Sequence, residues 1–571
     1  MRDNMEVSKG VIIWMVVYVC GCGVPTTSGR YPGKPVQACG THDYQAMVEY
    51  SIQAELLGMQ GEIQGSEYVC FVNRMGSELD RLYCLFPLHE AELVSQDCSI
   101  ESIKAPIMPE YLSDGRFFRL SLKSPIGIGQ KQRLKIEFSG MIPPDEEYAA
   151  GAVSGKFWHP MLFALVPSEG KWPGWLELIT PAIFEVALTV PSDHNVATSA
   201  QRVREYSKQP SCKTIEAYTK GDQFFKWRSS PDYHVVSSKN PGGEIRVYFT
   251  NREALQGPFI AEAASEVSSY YAELLGSFPF PLVSFVPGRL DVSGGGEAGP
   301  RMLMLHQMHL LPVPGQGKDL KQTRWIVAHE LGHLYWSELG YVEIREDVGW
   351  LALGLGQWTD QQYAERIGRK TIIQDNFRRY ITAAKAGNNT TIHQSKEQLK
   401  DAPFNVNHVI RHSKGFAVIS MLEYLMGKER FLNFIKDILA RYGGRTEVLT
   451  ERKFILLAQD YYGTDLSWFF DQWLDTNKSL DYGLEGVTKD RKQLQVEVSR
   501  LGEAIMPVCV QVVTEDGKVL RKRIQGQAEV ETVCFDELGS AWLEVILDPE
   551  ERLPDLNRSN NRTCKNFDKE K

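Results

Sequence analysis

His329, Glu330 and His333 are the residues whose types and spacing could do chemistry. They lie in the run Trp325 to Gly340, WIVAHELGHLYWSELG, with the two histidines four residues apart. On an α-helix that spacing sends both imidazoles from one face, one turn apart, where they can converge on a single metal ion. Glu330 stands beside them, where a carboxylate can take the proton of a water that the metal activates, the general-base role in metal-assisted hydrolysis. One zinc ion is therefore the expected cofactor, with His329 and His333 as ligands. A buried helix with two coincidental histidines is the plainer alternative, and only the rest of the chain can weigh the two.

The element that must carry the motif is a helix from about 321 to 340, along which Trp325, His329, His333 and Trp336 form one stripe. Those histidines occupy core-facing positions. Upstream, from about Asp43 to Asn251, short apolar–polar alternations such as FFRLSLKS, RLKIEFSG, FEVALTVPS and YHVVSS are broken by Gly, Pro, Asp and Ser, which predicts a β domain. Within it, residues 155–175 are rich in tryptophan and proline and read as a packed surface loop rather than the wall of a cleft. At Pro258 the pattern turns helical, with proline in the first turn and Gly276 as a stop, and stays so to about Asp475. After Asn477 alternation returns, as in QLQVEVSR and AWLEVILDP, and predicts a small β-sandwich.

Composition bounds the function. With 571 residues, 43% of them hydrophobic, the chain can form several full cores. Its 63 basic and 72 acidic side chains, a formal charge of −9, exclude the electrostatic footprint of a nucleic-acid binder. Near the amino terminus an apolar run from Val11 to Val19 fits the core of a secretory signal, and Val19-Cys20-Gly21-Cys22 resembles a bacterial lipobox with Cys22 as the acylated residue. The expected location is the cell envelope, with a lipid anchor at Cys22 and a flexible tether after it. In an oxidising compartment disulfides are expected, and Cys70 with Cys84 and Cys509 with Cys534 are near enough in sequence to form local pairs.

These residues together resemble the aminopeptidase-N and leukotriene-hydrolase family of zinc peptidases, a gluzincin group. YYAELLGSFPFPLVSFVPGRL resembles the family's segment before its glycine-rich exopeptidase loop, and GGGEA at 294–298 falls where the family carries GAMEN, 32 residues before His329. RHSKGFAVISMLEYLMG resembles the family pattern Y-x-K-G-A-x-V-L-x-M-L, and FFDQWLDTNKSLDYGL resembles the end of its catalytic domain. The resemblance implies an α+β multidomain fold: an N-terminal β saddle domain, a thermolysin-like, mostly α catalytic domain with a small sheet, and a C-terminal β-sandwich. The boundaries read as a signal peptide over 1–22, a linker over 23–42, the β domain over 43–250, the catalytic domain over 251–476, the sandwich over 477–552 and a polar tail over 553–571. It further implies that Glu297 binds the substrate's α-amino group, with Gly295 and Gly296 letting the peptide backbone lie alongside, and that His412 stands in for the tyrosine that stabilises the oxyanion.

One departure is serious. The family's third zinc ligand is the glutamate of WLNEGFA, and the matching run here is Trp350-Leu351-Ala352-Leu353-Gly354-Leu355-Gly356, with Leu353 at the glutamate. Counting from His333 lands instead on Ala352. Two imidazoles without a carboxylate hold zinc less tightly. Glu338, Glu343, Glu346 and Asp347 are the carboxylates near enough to substitute. Two functions follow: a zinc metallopeptidase of aminopeptidase type, or a pseudopeptidase that binds a peptide or partner protein without cutting it.

Overall fold

The computed structural model describes residues 48–565 apart from 58–60, 74–77, 87–88, 98–105, 108, 112–116, 143–151, 156–157, 164–181, 292–294, 337–348, 370–371, 394–408, 444–448, 491–492, 537 and 539. The lipobox-like segment lies outside these residues, and no described helix is long and apolar enough to cross a membrane.

The chain is a mixed α+β protein. Its N-terminal part is built on an eight-stranded sheet in which Val48–Leu57 pairs antiparallel with Glu62–Val72 and parallel with Ala182–Pro191. Alternate residues of the first strand, Tyr50, Ile52, Ala54 and Leu56, are buried, which is the period-two signal legible in the sequence. They pack with Leu82 and Leu120 of a four-stranded sheet into one core. Trp158 and His159, from the aromatic loop, are sealed in that core, with the indole N–H of Trp158 donating to the Phe225 carbonyl at 3.0 Å and His159 Nδ1 2.8 Å from Glu67 Oε2.

The expected local disulfides do not form. Cys70 is disulfide-bonded, but Cys84 is a free, fully buried thiol, and Cys509 and Cys534 are both free. Cys84 faces the core from the strand Leu79–Leu85, and Cys509 and Cys534 sit on strands of two different sheets, so nearness in sequence did not bring either pair together.

The unit around the motif has a five-stranded sheet in the order His234–Asn240, Gly243–Phe249, Leu282–Pro287, Met302–Leu305 and Gly296–Gly299. Its first two strands fall in the stretch whose alternation predicts the β domain. They belong to this sheet because Gly243–Phe249 pairs in parallel with Leu282–Pro287, so the unit takes in chain upstream of 251. Helices α1 (Gln256–Leu275) and α2 (Lys321–Leu334) pack beside the sheet, and α3 (Gly349–Arg366) packs on α2. They are followed by α4 (Ile372–Lys385), α5 (Gly415–Met426), α6 (Lys428–Tyr442), α7 (Glu451–Tyr462) and α8 (Ser467–Leu474). Helix α1 stops at Gly276 in the left-handed conformation, as its sequence predicts.

Two further sheets, of three and four strands, share one apolar core that includes Val496, Val510, Val512, Val533 and Val545. The stretch expected as a tail is part of this unit up to Lys565. Asp555 is buried and accepts the N–H groups of Tyr482 and Asn557, and Arg562–Cys564 adds an edge strand along Trp542–Leu547.

Candidate active site

Helix α2 is held on its apolar side by Ile326, Val327, Leu331 and Leu334, all buried, and by the Tyr271 hydroxyl, which donates to the Ala328 carbonyl at 2.8 Å. That fixes the rotation of the helix, and with it the direction of the motif. His329 and His333 leave the same face, their rings edge to face with centroids 4.5 Å apart and their Nε2 atoms 3.1 Å apart.

A carboxylate the sequence reading did not single out orients the pair. Asp360, buried on α3, places Oδ2 2.5 Å from His329 Nδ1, and its other oxygen accepts the Trp325 indole N–H at 3.0 Å. Asp360 thus anchors one nitrogen of His329 and turns the other toward His333. Burial works against a charge on His329, yet Asp360 outweighs it and raises the imidazole above its usual range. Burial, then the neighbouring His329 and His412, hold His333 well below it.

Glu330 is buried on the same helix. Burial pushes its carboxyl up to about 7, against the pull of His329. The edge strand Gly296–Gly299 lies directly over it: a Cβ at Gly296 would fall 2.6 Å from Glu330 Oε1 and 2.2 Å from the Met304 carbonyl oxygen. The glycine is what lets the strand and the carboxylate meet. Gly295 has φ +76° and accepts the His306 N–H on its carbonyl at 3.0 Å, which sets the entry of the strand. Next along, Glu297 faces the open side and pairs with Lys226 of the N-terminal β domain, Nζ to Oε1 at 3.3 Å.

His412 lies on a wide turn, Ile410–Lys414, that runs into α5, half-buried and near enough to His333 to depress it electrostatically. In the same turn Lys414 is buried and donates to the carbonyls of Thr390 and Thr476 at 2.8 and 3.0 Å, which ties the turn in place. The structure thus gathers His329, Glu330, His333, Glu297 and His412 around one place, from a helix, an edge strand and a helix start.

The third metal ligand is a different matter. Leu353 and Ala352 are half-buried on α3 and carry no donor, and no group of three metal-ligating side chains occurs among the described residues. Glu338, Glu343, Glu346 and Asp347 lie outside those residues. The donors present still fit a zinc ion in kind: two converging imidazole nitrogens, one ring clamped by a carboxylate through its far nitrogen, as metal-binding histidines commonly are. Room is kept on the other ring by Gly356, where a Cβ would lie 2.5 Å from His333 Nδ1.

Residues 262–473 match the Peptidase family M1 domain. This segment belongs to the aminopeptidase-N family of gluzincin peptidases. The chain is 22% identical over 335 residues to probable M1 family aminopeptidase 2 of Encephalitozoon cuniculi, covering 54% of this chain and 38% of that one. It is 24% identical to aminopeptidase M1-C of Oryza sativa subsp. japonica, over 49% of this chain and 33% of that one. Against aminopeptidase N of Acetobacter pasteurianus the identity is 20%, over 37% and 61%. The chain spans about a third of the length of the first of these curated relatives. In a segment that matches the M1 domain, His329, Glu330 and His333 stand together, and Asp360, two helical turns beyond Leu353 on the same face of α3, was the member the sequence hid.

Proposed function

We propose that this chain is a zinc metallopeptidase of aminopeptidase type, in which His329 and His333 hold the metal. The single observation that carries the reading is the Asp360–His329–His333 arrangement beside a buried Glu330. Zinc, when bound, supplies Lewis acidity for the attacking water and the scissile carbonyl. Glu330 takes the proton of the water and returns it to the leaving amine, a task suited to a carboxyl pushed up to about 7. His412 donates to the oxyanion that develops on the carbonyl. Glu297 faces the first residue of the substrate, and Gly295 and Gly296 leave space for its backbone. The domain arrangement we infer is that of the family's short members, with a saddle, a catalytic domain and a sandwich. We place the protein at the cell envelope, acylated at Cys22, and mass analysis of the mature amino terminus tests that placement.

Leu353 at the place of the third ligand favours a second reading, a pseudopeptidase that binds a peptide or a partner protein in the same cleft. Metal content divides the two. Purified protein dialysed against zinc is expected to retain about one equivalent and to hydrolyse aminoacyl substrates, with all turnover lost in Glu330→Gln; a protein that stays metal-free rejects the peptidase. Leu353→Glu is expected to raise zinc affinity about tenfold or more by restoring a charged donor.

A further inference from the structure

The carboxylate that faces the substrate already has a cation beside it. Lys226 Nζ lies 3.3 Å from Glu297 Oε1, and the lysine side chain is only 6% exposed whereas that of Glu297 is 46% exposed. The ammonium is on the protein side of the pair and the carboxylate on the open side. Lys226 is not there by chance of rotamer. Its backbone N–H donates to Ser199 Oγ at 2.8 Å and its carbonyl accepts the Ser199 N–H at 2.9 Å, so the backbone is held on both sides of its Cα. The ring of Phe224 lies 5.2 Å from its Nζ. Space for the ammonium is made by Gly299, in the same strand as Glu297, where a Cβ would fall 2.4 Å from Nζ.

A carboxylate that is already neutralised gains little from a second cation. A substrate α-ammonium bound to Glu297 would sit about 5–6 Å from the Lys226 ammonium, close enough in a partly enclosed site for like charges to repel appreciably. A carboxylate oxygen accepts more than one hydrogen bond, and a neutral amide N–H offers one without adding charge. We propose that the Lys226–Glu297 pair makes this site take the amide N–H of a peptide that continues upstream, an internal bond or an acylated amino terminus, in preference to a free α-ammonium. The proposal rests on the reading that the cleft binds peptides with Glu297 facing the substrate, and it shifts the preferred peptide from the free amino terminus of an aminopeptidase substrate to a blocked or internal one.

The test uses two dye-labelled peptides of one sequence, one with a free and one with an acetylated amino terminus. Their affinities for the full-length protein are measured at pH 6.5, where an α-amine of ordinary pKa of about 7.7–8 is charged. Wild-type protein is expected to bind the acetylated peptide about threefold or more tightly than the free one. Lys226→Met should reverse the order, with the free amine bound about tenfold more tightly, and Lys226→Arg should keep the wild-type order. Gly299→Ala, which pushes the ammonium away from Glu297, should move the ratio in the direction of Lys226→Met. A wild-type preference for the free amine, or a ratio unmoved by both Lys226→Met and Gly299→Ala, overturns the proposal. Turnover of the same peptides, followed in parallel, separates the two claims. The expected ratio without hydrolysis rejects the peptidase and keeps this inference, hydrolysis with a free-amine preference does the reverse, and binding of neither peptide rejects both.

Discussion

His329 Nδ1 meets the carboxylate of Asp360 at 2.5 Å, and the same carboxylate accepts the indole N–H of Trp325 one turn earlier on α2. A buried acid thus fixes which nitrogen of His329 faces the anchor and which faces His333, and it does so from α3, the helix that lacks the expected glutamate. Asp360→Asn keeps the shape and removes the charge. It should weaken zinc binding about 10- to 100-fold, the usual loss when a partner of a metal-binding histidine is changed. Competition against a chromogenic chelator measures this, and unchanged affinity would mean that Asp360 does not support the metal.

Gly296 carries the contact between the edge strand and Glu330, the base of the proposed reaction. In Gly296→Ala the new methyl meets the Met304 carbonyl, which is fixed in the sheet, and Glu330 Oε1, so either the strand or the carboxylate must move. A shift of about 1 Å at a reacting group is enough to lower kcat/KM by about a hundredfold. Zinc content should be unchanged. Steady-state kinetics together with metal analysis check both halves, and full activity would show that Glu330 tolerates displacement or is not the base.

The hairpin that bears Glu297 is also clamped to the N-terminal β domain. Arg301 is buried against Asp222, with further bonds to Thr219 Oγ1 at 2.6 Å and to the Ser199 carbonyl at 2.9 and 3.1 Å. Removing one partner strands a buried charge. Arg301→Met should therefore cost about 3–5 kcal/mol of stability, and Arg301→Met with Asp222→Leu should recover much of it. Urea unfolding of the three proteins decides, and additive losses would contradict a paired role.

His393 bridges two carboxylates, with Nε2 3.0 Å from Glu451 and Nδ1 2.7 Å from Asp475, and Glu451 also accepts the Trp350 indole N–H at 2.7 Å. The bond to Glu451 leads, followed by opposing burial and then by Asp475, and together they raise the imidazole to about 9. A pKa raised in the folded state gives stability that is complete below the unfolded value of about 6.5 and is lost as pH rises through about 9. Lys414, lowered to about 7 by burial, works in the opposite direction over part of that range. The comparison is therefore between wild type and His393→Gln. Their difference in Tm should be largest near pH 6 and shrink toward pH 9.5, and a constant difference would show that the bridge does not depend on the proton.

The sequence by itself determined what is local. A four-residue spacing on a helix fixes a shared face, so HELGH announced its two imidazoles on one side with Glu330 beside them, and period-two alternation announced the strands through Tyr50, Ile52 and Ala54. It also showed the leucine at 353. What it could not decide is anything set by packing between distant segments. The sheet under α1 took Gly243–Phe249 because parallel pairing with Leu282–Pro287 is a choice between strands, not within one. Cys70 and Cys84 are near in sequence yet do not bond, and their strands lie in two different sheets. Asp360 reached His329 only through the crossing of two helices, and Lys226 came to Glu297 from 71 residues upstream. The motif put two imidazoles and a carboxylate on one helix, and the charges around them were placed by the tertiary fold, since electrostatic partners need proximity in space and leave no period in a sequence.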